Sequence, residues 1–258
     1  MSRLSLAATA APLLPTPVSC DPLHLDLESI RAEIDAVDDE ILHLIQHRQR
    51  LAARIGGLKE SQGGGLKLRP DREARVIARQ AARVVPANRR LTVAIWRELM
   101  SAGLAVQGEI VVQVWSGGRK DIREAARARF GGCAVYRDAP TPEAALDAAG
   151  QEGTVAVLAL DPESDWWSRL GPRPDLWIFD GLGRRGPLDP AALAVGRIEP
   201  GALARGVAFR VSSGGDSGMH ARAERLLAVS EGCRLYAARD DGEGPLDREH
   251  GVVGSAAG

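Results

Sequence analysis

Aromatic side chains are scarce, at 4% of 258 residues, so a core has to be built from Ala, Leu, Val and Ile. Cysteine is rarer still. Cys20, Cys133 and Cys233 lie far apart, with neither the density of a disulfide framework nor the CxxC spacing of a metal site, and read as reduced thiols of a cytoplasmic protein. Charge of one sign is not in excess: 33 basic against 34 acidic residues leave a net charge of -1. No bulk basic field exists to hold a phosphate backbone, which argues against a dedicated nucleic-acid binder. No apolar run approaches the ~18 residues of a membrane-spanning helix. With 45% hydrophobic and 26% charged residues, the composition is that of a folded globular chain, long enough for one large or two small domains.

The ends carry little to bury. Residues 1–25 read as a flexible leader, because Pro12, Pro15 and Pro17 interrupt an apolar stretch whose positive end is the single Arg3. Residues 240–258, rich in Gly, Asp and Ala, read as a disordered tail. Between them the periodicity changes once, near Gln107-Gly108, which places a helical domain over 26–108 and an α/β domain over 109–239.

The first helix carries the strongest pattern. Leu27, Ile30, Ile34, Val37, Ile41, Leu44, position 48, Leu51, Ile55 and Leu58 step by three and four, a heptad seam without Pro or Gly until Gly56-Gly57. Such a rod is roughly 50 Å long at about 1.5 Å per residue. A domain of this size cannot cover both its flanks, so packing against a second copy, a homodimer, is expected. Position 48 of the seam is Arg48. A buried guanidinium needs an anion, which is either an acidic partner across the dimer or a ligand. Lys59, eleven residues on, returns to within about 20° of the Arg48 face. Arg31, seventeen residues earlier, is rotated about 100° away, so it does not easily share that pocket within one chain but can enter the partner's across a dimer seam.

After Gln62-Gly63-Gly64-Gly65, Pro70 opens a second helix with Asp71 and Glu73 in its first turn. Glu73, Val76, Ile77 and Gln80 share one face, so Glu73 can point inward. On a third helix, over 88–107, Trp96, Met100, Gly103 and Gln107 form a stripe. Gln107 at its end is either a satisfied core amide or a ligand contact.

Taken together, Ile30-Arg31, Ile34-Asp35, Asp38, Arg48, Lys59, Arg72-Glu73 and Gln107 resemble the all-α chorismate mutase family over about residues 27–107. The resemblance implies an α+β two-domain chain whose N-terminal part is a three-helix, intertwined dimer. Its expected reaction is the rearrangement of chorismate to prephenate, without metal or cofactor. It implies that Arg48 clamps one substrate carboxylate and that Arg31 of the partner chain takes the other. Lys59 and Gln107 are expected at the ether oxygen, and Glu73 at the ring hydroxyl with Arg72 beside it. Two positions depart from the family pattern: Arg69, where an Asp is common, and Gly103, where a Ser is common.

In the second half, strands are expected at 110–115, 133–136, 154–160, 176–179, 194–198, 206–211 and 234–238. Helices are expected to Phe130, from Thr141 through Ala149, and over 220–229. The Gly-rich turn Ser116-Gly117-Gly118, then Glu124-Ala125-Ala126 and the apolar run near Leu158, resemble a prephenate dehydratase domain, but its Thr-Arg-Phe signature is absent. A degenerate domain serving packing or metabolite binding is therefore expected. Arg119, Arg123, Arg127 and Arg129 read as a solvated helix face, and Asp161, Glu163, Trp166 and Trp167 as a loop with packed indoles. His43 and His47 lack a third ligand and read as solvent-facing. The alternatives left open are a bifunctional mutase–dehydratase, a lyase acting on isochorismate, and a non-catalytic helical dimer sensing a dicarboxylate.

Overall fold

The computed structural model describes residues 26–60, 68–183, 186–213, 224–230, 232–240, 246 and 251–257. The expected leader, 1–25, lies outside them. The chain divides into two compact units, Met1–Leu44 and Ile45–Gly258.

One helix, α1 (Leu27–Glu60), is unbroken over 34 residues. Its part in the first unit displays the seam in the open: Ile30, Ile34, Val37, Ile41 and Leu44 are all exposed. His43 is exposed as expected.

In the second unit, the rest of α1 is joined by α2 (Pro70–Ala81) and α3 (Arg89–Ala105). Pro70 supplies the preset φ of a first helical residue, and Asp71 and Glu73 sit at the positive end of the α2 dipole. Leu51, Ile55 and Leu58 continue the exposed seam, and His47 is exposed.

A mixed nine-stranded sheet follows. Its strands are β1 (Val111–Trp115), β2 (Val135–Asp138), β3 (Thr154–Ala159), β4 (Leu176–Leu182), β5 (Ala192–Arg197), β6 (Gly206–Ser213), β7 (Glu224–Ser230), β8 (Cys233–Arg239) and β9 (Val252–Ala257). They lie in the order β2-β1-β3-β5-β4-β9-β6-β8-β7. The first three are parallel, and helices α4 (Lys120–Phe130) and α5 (Pro142–Ala149) follow β1 and β2 as crossovers. Thr141 caps α5, its Oγ1 accepting from the Ala144 amide at 3.1 Å. The remaining pairings are antiparallel except β4–β9.

Each face of the sheet carries a core. One buries Ile122, Ala126 and Phe130 of α4 with Leu68, Trp177 and Phe179. The other buries Ala145, Leu146 and Ala149 of α5 with Trp166, Trp167 and Leu170. Both indoles are fully packed, and Trp166 Nε1 donates to the Ala159 carbonyl at 2.8 Å.

Three expectations are corrected. The supposed tail over 240–258 supplies β9, an interior strand whose Val252, Val253 and Ala256 are buried. The helix expected over 220–229 is a strand, β7, paired with β8 along its length; residues 220–223 lie outside the described part. Arg129, placed on a solvated face, is 9% exposed, because it shares a helical side with the buried Ile122 and Ala126.

Candidate active site

The α1–α3 contact is built on small residues. A Cβ added to Gly103 would stand 3.2 Å from Arg48 Nη1 and 3.6 Å from Ala52 Cβ, and one added to Gly56 would stand 3.2 Å from Gln107 Cγ. Arg48, Ala52 and Gly56 step by four along α1 while Leu99, Gly103 and Gln107 step by four along or just beyond α3, so the two rows meet side by side. The departure at Gly103 thus has a steric reason. A residue without a side chain leaves room for the Arg48 guanidinium to lie across α3, where Nη1 donates to the Leu99 carbonyl.

Arg48 is half-buried. Burial, and then the nearby Arg72 charge, hold its guanidinium below the ordinary arginine value. Among the described residues no carboxylate pairs with it. A half-buried cation within reach of a second positive charge, with no acid paired to it among the described residues, makes a local anion-seeking centre. Arg72 itself is exposed. Gln107 lies one row further on, its Nε2 donating to the Gly103 carbonyl at 2.7 Å. Structure therefore brings Arg48, Arg72, Gly103 and Gln107 into one neighbourhood. Lys59 stands in the last turn of α1, and its side chain lies outside the described residues. Arg31 belongs to the other unit, is exposed, and pairs with Glu28 at 2.6 Å.

Glu73 meets a counter-charge on α4. It is buried, as the helical pattern predicts, but its Oε2 sits 2.8 Å from Nη2 of Arg129 on α4, close in distance though not aligned as a hydrogen bond. Arg129 Nε also donates to Asp180 of β4 at 2.5 Å. Burial lowers the Arg129 affinity for its proton, but Glu73 and Asp180 together outweigh it and hold the group above its ordinary value. Sequence reading missed Arg129, although its signal was present: it lies seven residues after Ile122 and three after Ala126, on the core side of α4.

A separate cavity of about 930 Å³ opens beside the ends of β1 and β3, lined by Gly117, Arg119, Asp161 and Asp189 and by Arg225 to Val229 of β7. Arg225 is paired with Asp189 at 2.8 Å, and none of the residues singled out from the helical segment lines it. No helix among the described residues is long and apolar enough to cross a membrane.

Residues 30–108 match the family described as chorismate mutase type II, the same stretch on which the sequence resemblance rests. The chain is also 30% identical over 125 residues to a bifunctional chorismate mutase/prephenate dehydratase of Aquifex aeolicus (strain VF5). That alignment covers 45% of this chain and 33% of the relative, so the chain spans about a third of the length of the curated protein it matches. The helical segment is thus a chorismate mutase type II domain, followed by a mixed α/β sheet. No solved structure matches the chain.

Proposed function

We propose that the chain is a chorismate mutase, acting as a cytoplasmic homodimer in aromatic amino-acid biosynthesis. The observation that carries this reading is Arg48, half-buried across α3 beside Gly103, with its guanidinium on the Leu99 carbonyl and no carboxylate paired with it among the described residues. A dicarboxylate substrate supplies the missing charge.

The rearrangement is internal to the substrate: one C–O bond breaks as one C–C bond forms, and no nucleophile or general base enters. The protein contributes confinement of a folded, near-attack conformer and stabilisation of charge growing on the ether oxygen. Arg48, with Arg72 beside it, holds one carboxylate. Arg31 of a second copy takes the other, which the exposed seam of α1 supports, since its apolar positions need a covering surface. Lys59 and Gln107 donate to the ether oxygen, Gln107 after its amide leaves the Gly103 carbonyl. Donors of this kind contribute about 10²–10³-fold each in a water-poor site.

Incubating the full chain with chorismate tests the reading. Prephenate as sole product supports it. Phenylpyruvate would reveal a second, dehydrating activity, pyruvate from isochorismate a lyase, and tight binding without turnover a sensor.

A further inference from the structure

The Leu99 carbonyl of α3 serves two donors. In the regular helical pattern its oxygen receives the backbone amide four residues on, that of Gly103. From the side, the Arg48 guanidinium of α1 donates to the same oxygen through Nη1. A carbonyl oxygen has two lone pairs, but in a helix the second is flanked by the side chain four residues further along. At position 103 there is no side chain. A Cβ built there would stand 3.2 Å from Arg48 Nη1 and 3.6 Å from Ala52 Cβ, so the guanidinium fills the notch that the missing methyl leaves. The carbonyl of Gly103 itself accepts from Gln107 Nε2 at 2.7 Å. Glycine is a poor helix former, so position 103 gives up helix stability for this room.

We propose that Gly103 and the Leu99 carbonyl form a backbone seat for Arg48, with Gly103 a positioning residue that presets the guanidinium for a substrate carboxylate. The identity of that carboxylate rests on the mutase reading, while the seat stands on the α1–α3 contacts. Because a guanidinium is planar and rigid, fixing one of its N–H groups on Leu99 fixes the plane and heading of the others. A clamp preset in this way loses less rotamer freedom when the anion arrives. The seat therefore acts on binding, and leaves the bond rearrangement to the groups at the ether oxygen.

Gly103→Ala in the full-length protein tests this, with chorismate kinetics and thermal unfolding as the first two measurements. The added methyl displaces the guanidinium from the Leu99 carbonyl. KM is expected to rise about tenfold, with kcat changed by less than about threefold. Tm should stay level or rise by up to about 4 °C, since alanine suits a helix better than glycine. Weaker binding in an equally stable or more stable protein is a result that a glycine needed only for packing would not give. In an Arg48→Lys background, where no planar fork remains to orient, the same substitution should change KM by less than about twofold. The seat is also read directly by NMR of the arginine side-chain nitrogens. The parent should show slowly exchanging Nη protons that both Arg48→Lys and Gly103→Ala remove. An unchanged KM, a fall in Tm, or an equal KM penalty in the two backgrounds overturns the proposal. So does a parent spectrum without that signal, which decides the matter alone should Gly103→Ala fail to fold. A parent that shows the signal and does not turn over chorismate refutes the mutase reading and keeps the seat.

Discussion

Replacing Arg48 by Met separates what this residue does for the fold from what it does for a ligand. Methionine keeps most of the length and the apolar stem, and removes the charge. Among the described residues the guanidinium gains one hydrogen bond, to the Leu99 carbonyl. Against that stand partial burial and repulsion from Arg72. A hydrogen bond from a charged donor contributes about 1.5–3 kcal/mol at most, and desolvation together with a like charge at a partly screened site costs a similar amount. The two nearly cancel, so Tm of the variant should fall within about 3 °C of the parent, or slightly above it. Ligand binding changes the balance. At 100 times its Kd a ligand stabilises the native state by about 2.7 kcal/mol, roughly 5–11 °C for a domain of this size. Chorismate or prephenate should produce that shift in the parent and almost none in Arg48→Met, whose kcat/KM should fall at least 10²-fold. Thermal unfolding followed with and without prephenate, together with initial rates of chorismate loss, reads both effects. A variant that still turns over chorismate normally, or retains the full ligand-induced shift, would refute the assignment of Arg48 as the anion clamp.

Gly131 has φ of +74°, and a Cβ there would come 2.6 Å from Ser101 Cβ. Gly131→Ala should cost about 2–4 kcal/mol in denaturant unfolding, and adding Ser101→Gly should recover the steric part but not the backbone part. Burial raises the Tyr136 hydroxyl to about 12, its proton held in a 2.6 Å bond to the Gly131 carbonyl. Because the folded value lies above the unfolded one, this contribution is intact below about pH 10 and is lost as pH rises toward 12; Tyr136→Phe should flatten that part of the stability curve. Ending the chain after Asp240 removes β9 and should yield protein that gives no cooperative unfolding transition by circular dichroism; a well-folded truncated product would contradict the interior placement of this strand. Gly254→Ala is expected to act in the same direction more locally, since a Cβ there would approach the Ile178 carbonyl oxygen to 2.1 Å.

Much of the helical segment was legible because its signals are periodic. The seam of α1, the inward turn of Glu73 and the stripe ending at Gln107 all follow from the 3.6-residue repeat, and the apolar run of β3 follows from a strand buried on both faces. What escaped were features that depend on packing partners. Glu73 could be read as buried, but its ion pair with Arg129 depends on how α4 is placed. Arg129 is a charged residue on a core-facing side, and its counter-charges come from residues 56 positions upstream and 51 downstream. β9 reads as a loose tail because its sequence, Val-Val-Gly-Ser-Ala-Ala, is small and weakly hydrophobic, yet small side chains are what close packing against β4 demands. The Leu-Leu-Ala-Val run of β7 suits a helix or a strand equally, and pairing with β8 decides it.

The position of β9 has a consequence for how the molecule is assembled. Strands β6, β8 and β7 connect to the rest of the sheet through β9 alone. Until residues near 257 have been synthesised and threaded into place, a half-made product presents two raw margins, one on β4 and one on β6, each with unsatisfied amides and carbonyls. Either margin can recruit the equivalent ribbon from a neighbouring nascent chain, so strand exchange between molecules competes with self-closure, and slow or crowded synthesis favours the exchanged product.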